Sequence, residues 1–287
     1  MNKYTTVFFL FVFISTSVIH SQKIQLNGDI QPASLIVGKC EQVDYIRFEQ
    51  KIIRPDKEGN FILAFQKDSD GTRYIPFKLS NGKVKIVKID LPARKYEQEK
   101  LILKTKYVSA PEKENERIKS ERKLMRDAKD IIAKTDTAYF LSGFTIPIKG
   151  GRISSQFGTE RIVNDVKKST HWGLDIAIKK GTPVYAMSDG IVRLTGKNFY
   201  YSGNCIYIDH GLGLYSTYLH LSEILVKENQ LVKKGQIIGK VGSTGRSTGP
   251  HLHWGVAWLD ISIDPLSVLK INDSFILNSI GMKNLPE

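Results

Sequence analysis

On either side of one helical stretch, this chain is written in short β-prone runs that glycine, asparagine or aspartate turns cut off. Tyr45-Ile46-Arg47-Phe48, Phe61-Ile62-Leu63-Ala64-Phe65 and Val84-Lys85-Ile86-Val87 are typical of the first half. Asp56-Lys57-Glu58-Gly59-Asn60, Asp70-Gly71 and Asn81-Gly82 lie between such runs. Gly190-Ile191-Val192-Arg193-Leu194, Ile206-Tyr207-Ile208-Asp209 and Gln236-Ile237-Ile238-Gly239 continue the pattern in the second half. Runs this short cannot build long helices, and turns this frequent return each strand beside its neighbour. The expected fold is mainly β.

The exception begins at Pro111, where acidic residues crowd what would be a first helical turn and Ile118, Leu124, Ala128 and Ile131 or Ile132 form a thin apolar stripe. A helix there divides the chain. The expected parts are a leader (1–21), a small N-terminal β-sandwich (22–108), a linking helix (109–137), a C-terminal antiparallel β domain (138–270) and a tail (271–287). Thr145-Ile146-Pro147-Ile148 is read as the first strand of the second domain. The first domain contains no histidine and is read as a structural or targeting module.

The chain has six histidines. His20 falls in the leader, and the other five lie between His171 and His253. The densest stretch runs from Gly242 to Trp254, where a glycine-rich turn leads into His251-Leu252-His253. Alternate residues of a strand share a face, so these imidazoles, about 7 Å apart at ~3.3 Å per residue, address one site together. They can share a metal site without both being ligands. His171-Trp172-Gly173-Leu174-Asp175 offers a further His/Asp pair. Gly173 and the Ile176-Ala177-Ile178 run favour a loop entering a strand over a helix, and a bend at Gly173 would fold His171 over Asp175. Two histidines and an aspartate are a common catalytic zinc set that leaves one position open. His220, at a strand end, can point inward; His210, in a turn, is expected to be local and polar.

His171-x-x-x-Asp175, Asp209-His210-Gly211, Tyr218-Leu219-His220-Leu221-Ser222 and Gly242-Ser243-Thr244-Gly245-x-Ser247-Thr248-Gly249-Pro250-His251-Leu252-His253 occur in one order, within residues 144–265. In this the second domain resembles the lysostaphin-type zinc endopeptidases that cut peptidoglycan cross-bridges, and the whole chain resembles a secreted subgroup with an N-terminal β-module. The resemblance implies one Zn2+ per chain held by His171, Asp175 and His253. It implies His220 and His251 as the catalytic pair, metal-assisted amide hydrolysis as the reaction and peptidoglycan as partner. Two other readings stand beside it. A wall-binding adaptor that activates other hydrolases would need no turnover. The runs around Gly181 and Gly235 look like turns of lipoyl or biotinyl carrier domains, although neither a modifiable Asp-Lys nor a Met-Lys-Met occurs in that domain.

Lys3, the apolar run Val7 to Ile14 and small residues up to Ser21 describe a secretory leader, too short in its apolar part for a spanning helix. The expected location is the periplasm or cell envelope, otherwise the exterior, and an uncleaved leader would hold the protein near the membrane. The formal charge of +13, spread along the chain, is a general bias toward an anionic partner. Export points to cell-wall polymer and away from nucleic acid. Cys40 and Cys205, the only two cysteines, fall in different expected domains.

Overall fold

The computed structural model describes residues 23–101, 110–163, 167–273 and 275. The expected leader and most of the expected tail lie outside these residues. Strands β1 (Gln25–Asn27), β2 (Ile36–Lys39), β3 (Val43–Phe48), β4 (Lys51–Ile53), β5 (Asn60–Leu63), β6 (Gly71–Leu79) and β7 (Val84–Leu91) make the N-terminal module. They form one sheet ordered β1-β2-β5 and another ordered β4-β3-β6-β7. Phe61 of the first and Phe77 of the second meet edge to face with centroids 5.5 Å apart. Strand β8 (Gln98–Leu101) then leaves the module.

After a single 3-10 turn at Glu112–Glu114 comes helix α1 (Asn115–Ile132). Ile118, Ala128 and Ile132 are buried as expected, but Leu124 and Ile131 are half exposed. Glu121 takes the inward place instead, because it lies almost one full turn after Ile118 at 3.6 residues per turn. Its carboxylate accepts from the Tyr200 backbone N–H at 2.9 Å and pairs with Arg117 at 2.9 Å. The inner face of the helix packs on Phe199, Cys205, Tyr207 and Tyr215.

The second half holds β9 (Arg152–Ser155), β10 (Glu160–Val163), β11 (Lys167–Thr170), β12 (Leu174–Ala177), β13 (Pro183–Tyr185), β14 (Gly190–Phe199) and β15 (Gly203–Gly211). These are followed by β16 (Leu214–Leu221), β17 (Glu223–Ile224), β18 (Leu231–Val232), β19 (Ile237–Lys240), β20 (His251–Trp258) and β21 (Ile261–Ile263). The main sheet is ordered β18-β14-β15-β16-β20-β12-β9, with β21 added on β20. Every pair in it is antiparallel. The segment Thr145–Ile148 is not a strand. Pro147 has no N–H to give a ladder, and single bonds at Thr145 N to Met187 O and Tyr185 N to Pro147 O, both 2.8 Å, tie it down instead.

The two halves are joined by more than a linker. Phe48 meets Trp258 edge to face at 5.8 Å, Leu35 N–H donates to Ser267 Oγ at 3.1 Å, Lys51 pairs with Asp260 at 2.9 Å and Arg94 pairs with Asp264. One apolar core runs through both. Strand β8 pairs in parallel with β10, from Gln98 opposite Glu160 to Leu101 opposite Val163. A strand on the N-terminal side of the expected boundary thus completes a sheet on the other side.

The Asp209-His210-Gly211 sequence is structural. Asp209, fully buried, accepts from Thr135 Oγ1 at 2.6 Å and pairs with Arg193 at 2.9 Å, fastening the end of the helical segment to the sheet. His210 is fully buried between the Asp189 carbonyl, 2.7 Å from Nδ1, and Ser216 Oγ, 2.7 Å from Nε2. Burial lowers its pKa to about 4, against the opposing pull of Asp189. Because the folded value is depressed, the unfolded chain takes the proton first as pH falls. The stabilisation is complete above pH ~6.5 and is lost toward pH 4, about 2–3 kcal/mol by pH 4.5. Urea unfolding of wild type and His210→Gln at pH 7 and 4.5 measures this: wild type should lose more stability by that amount. Equal losses would contradict the account.

Candidate metal centre and active groove

Strand β20 carries His251 and His253 on one face, opposite Ala177 and Asp175 of β12. Asp175 therefore faces His253 across the ladder, and His171 enters from the loop just before β12, as the sequence reading had it. Nε2 of His171, Oδ1 of Asp175 and Nδ1 of His253 converge. They are 3.0 Å, 2.8 Å and 3.1 Å apart pairwise. Among the described residues these three form the group suited to a metal ion.

The protonation pattern suits a cation. Nδ1 of His171 donates to the Gln156 carbonyl at 2.9 Å, which leaves Nε2 bare toward the cluster. Burial pushes His253 below the ordinary imidazole range despite the neighbouring Asp175 carboxylate, so its ring is neutral at pH 7. The Nε2 of His171, the Nδ1 of His253 and a carboxylate oxygen of Asp175 face one point, the kind of donor set that a shared cation holds together. Tetrahedral zinc with bonds of about 2.0–2.1 Å would set its ligand atoms roughly 3.3 Å apart, close to the separations present. The donor set fits zinc.

The second pair stands beside this cluster. The rings of His220 and His251 have centroids 4.7 Å apart. Nδ1 of His220 donates to the Thr244 carbonyl at 2.8 Å, and Nδ1 of His251 donates to the Gly249 carbonyl at 2.8 Å. Both acceptors belong to the glycine-rich turn, which thereby aims both Nε2 atoms into the groove. Burial, helped by the nearby His251, lowers the His220 pKa to about 4. His220 also has a left-handed backbone, φ +63°, uncommon for a residue with a side chain and the sort of strain found at functional sites. His251 Nε2 lies 3.9 Å from Asp175 Oδ1, outside the donor cluster. The alternate-residue spacing brought both strand histidines to one site, and the structure gives them different neighbours.

The groove holds about 760 Å³ and is lined around the histidines by Trp172, Tyr201, the Arg246–Pro250 turn, Glu99 and Arg161. Arg161 was not legible as a site residue. It donates to Ser155 Oγ at 2.7 Å and approaches Asp175 Oδ2 at 3.5 Å and Glu99 Oε2 at 3.4 Å. Its place depends on the pairing of β10 with β8, a strand distant in sequence. His210 lies away from the groove, in its own buried network.

Gly173 is required for a different reason than a bend. A Cβ there would lie 2.5 Å from Nε2 of His253 and 2.8 Å from the Trp254 carbonyl, so only glycine lets the loop pass over the ring. Gly173→Ala should displace His253 and weaken metal binding about 10- to 100-fold, the usual cost of disturbing a residue that orients a ligand. Competition with a chromogenic chelator reads the affinity; an unchanged value would show that the ring has room to yield.

The sheet, the donor cluster and the paired histidines define a metallopeptidase-like site. Residues 169–265 match Peptidase family M23. Peptidoglycan DD-endopeptidase ShyA of Vibrio cholerae is 46% identical over 122 residues, which are 42% of this chain and 27% of that protein. DD-carboxypeptidase/endopeptidase Mpg of Neisseria meningitidis is 42% identical over 127 residues, 44% of this chain and 29% of that protein. The chain thus spans little more than a quarter of the length of these relatives. A Pseudomonas aeruginosa crystal structure assigned to peptidase M23 aligns over 84% of this chain and 96% of its own, at 25% identity and a TM-score of 0.59. That alignment takes in the N-terminal β region as well.

Proposed function

We propose that this protein is an exported, zinc-dependent endopeptidase that hydrolyses peptide cross-links of peptidoglycan during cell-wall remodelling. The observation that carries the reading is the convergence of His171 Nε2, Asp175 Oδ1 and His253 Nδ1 within hydrogen-bond distance of one another, flanked by two imidazoles outside the cluster. The relatives named as peptidoglycan DD-endopeptidases, the leader-like N-terminus and the charge of +13 support the substrate and the compartment.

His171, Asp175 and His253 would hold one zinc ion. Zinc bound there supplies a Lewis acid for the scissile carbonyl and lowers the pKa of water. The two other imidazoles do the proton work. Each has its Nδ1–H committed to a backbone carbonyl, so each offers an Nε2 lone pair to the groove. A neutral Nε2 takes a proton as water adds to the amide carbon. The imidazolium so formed can hydrogen-bond the oxygen that gains charge, and the proton passes to the leaving amine as the C–N bond breaks. The basic surface draws in an anionic polymer over long range.

Digestion of defined cross-linked muropeptides, with products identified by mass, tests this. The expected product pair is two un-cross-linked muropeptides, cut first between D-alanine and diaminopimelate, with loss of activity on chelation. Intact substrate after incubation with zinc-loaded protein would favour the adaptor reading.

A further inference from the structure

We propose that the end of the N-terminal module, from Arg94 to Leu101, is a buttress of the metal site, with Tyr96 and Glu99 as positioning residues. On this inference, which rests on the zinc reading above, the module is a working part of the peptidase and not a detachable cap.

Two chains of contact lead from the module to two different ligands. The first starts at Tyr96. Its ring lies under the Lys67 ammonium, 4.8 Å from the centroid, and beside the Arg94 guanidinium at 5.1 Å. Its hydroxyl donates to the Lys67 carbonyl at 3.0 Å, so the module itself fixes the ring. The ring covers Gly158, whose φ of +80° puts it in the left-handed region, and any side chain at that position would run into the ring. Gly158 N–H donates to the His171 carbonyl at 2.8 Å, and His171 N–H donates to the Thr159 carbonyl at 2.9 Å. The same turn presents the Gln156 carbonyl that takes the proton of His171 Nδ1. Tyr96 therefore clamps the turn that sets the orientation and tautomer of one ligand. Tyr96 also meets Phe157 at 6.4 Å, and Phe157 meets Trp172 at 6.1 Å, so the exposed aromatic wall of the groove leans on the module too.

The second chain starts at Glu99. Glu97 O accepts from Glu160 N–H at 2.9 Å and β8 then pairs with β10, which places Glu99 directly across from Arg161. The Arg161 guanidinium lies between two carboxylates, Glu99 at 3.4 Å and Asp175 at 3.5 Å. Glu99 draws it away from Asp175. Without Glu99, the whole charge of Arg161 would fall on Asp175 and compete with a cation for the carboxylate. Metal ligands depend on such partners for orientation and basicity, and their loss costs about 10- to 100-fold in affinity.

Zinc affinity of the full chain, read by competition with a chromogenic chelator, tests the buttress without relying on turnover. Tyr96→Ala should weaken binding about 10- to 100-fold. Tyr96→Phe keeps the ring over Gly158 and should stay within about twofold of wild type. Glu99→Gln, at a partly exposed position, should weaken binding several-fold and serves if Tyr96→Ala does not fold. Lys51→Ala breaks the module's pair with Asp260 far from these contacts and should leave affinity unchanged. Folded Tyr96→Ala or Glu99→Gln protein with wild-type affinity would overturn the buttress. Wild-type protein that takes up no zinc would overturn the metal reading itself.

Discussion

His253→Ala is expected to strip the protein of zinc and of all peptidase activity, with the fold intact. Nδ1 of His253 faces both Asp175 Oδ1 and His171 Nε2, so its removal opens a gap in the donor triangle that no neighbour fills. His251 is the nearest candidate to replace it, but its Nδ1 is bound to the Gly249 carbonyl and its Nε2 is 3.9 Å from Asp175. If a site of this kind binds zinc with about 10–16 kcal/mol, one ligand in three or four accounts for roughly 3–4 kcal/mol, a loss of more than a hundredfold. The ring also stands against the Gly173 backbone. The vacated space is small and polar, so the cost in stability should stay near the ordinary range of about 0.5–3 kcal/mol. Metal analysis after dialysis, with circular dichroism as the check on folding, reads the result.

His251→Ala and His220→Ala should do the opposite: retain zinc and lose about 10²- to 10⁴-fold in kcat, the range for removal of a proton-transfer or oxyanion group. Neither ring belongs to the donor triangle, and both are held by carbonyls of the glycine-rich turn. KM should change little, because the groove walls at Trp172 and Arg246–Pro250 remain. The double variant should fall little below the worse single one if the pair acts as a unit. Additive losses would mean that the two rings act in separate steps.

Much of this was legible in the sequence because the information is local. Strand alternation placed His251 and His253 on one face, and β-branched residues after Asp175 placed His171 in a loop entering a strand. Punctuation by turns gives the mainly β class, and Pro111 with the apolar stripe behind it gives the linking helix. What escaped was everything that needs non-local pairing. Arg161 and Glu99 meet only because β8 crosses from one half of the chain to pair with β10, and no spacing rule announces a parallel strand 62 residues away. The N-terminal β-module has no histidine and reads as a structural or targeting module, yet its last segment reaches the groove. The apolar stripe of the helix was misjudged at Leu124 because Glu121 found a backbone N–H to satisfy it in the interior. Thr145–Ile148 was read as a strand from its apolar residues, and Pro147 denied it a ladder. Cys40 and Cys205 are both buried and free.

The central claim is a division of labour between two histidines one residue apart. Zinc content of the purified His251→Ala and His253→Ala proteins, measured side by side after dialysis against metal-free buffer, tests it most directly. The account predicts near-stoichiometric zinc in His251→Ala and almost none in His253→Ala; zinc kept by His253→Ala and lost by His251→Ala would contradict it.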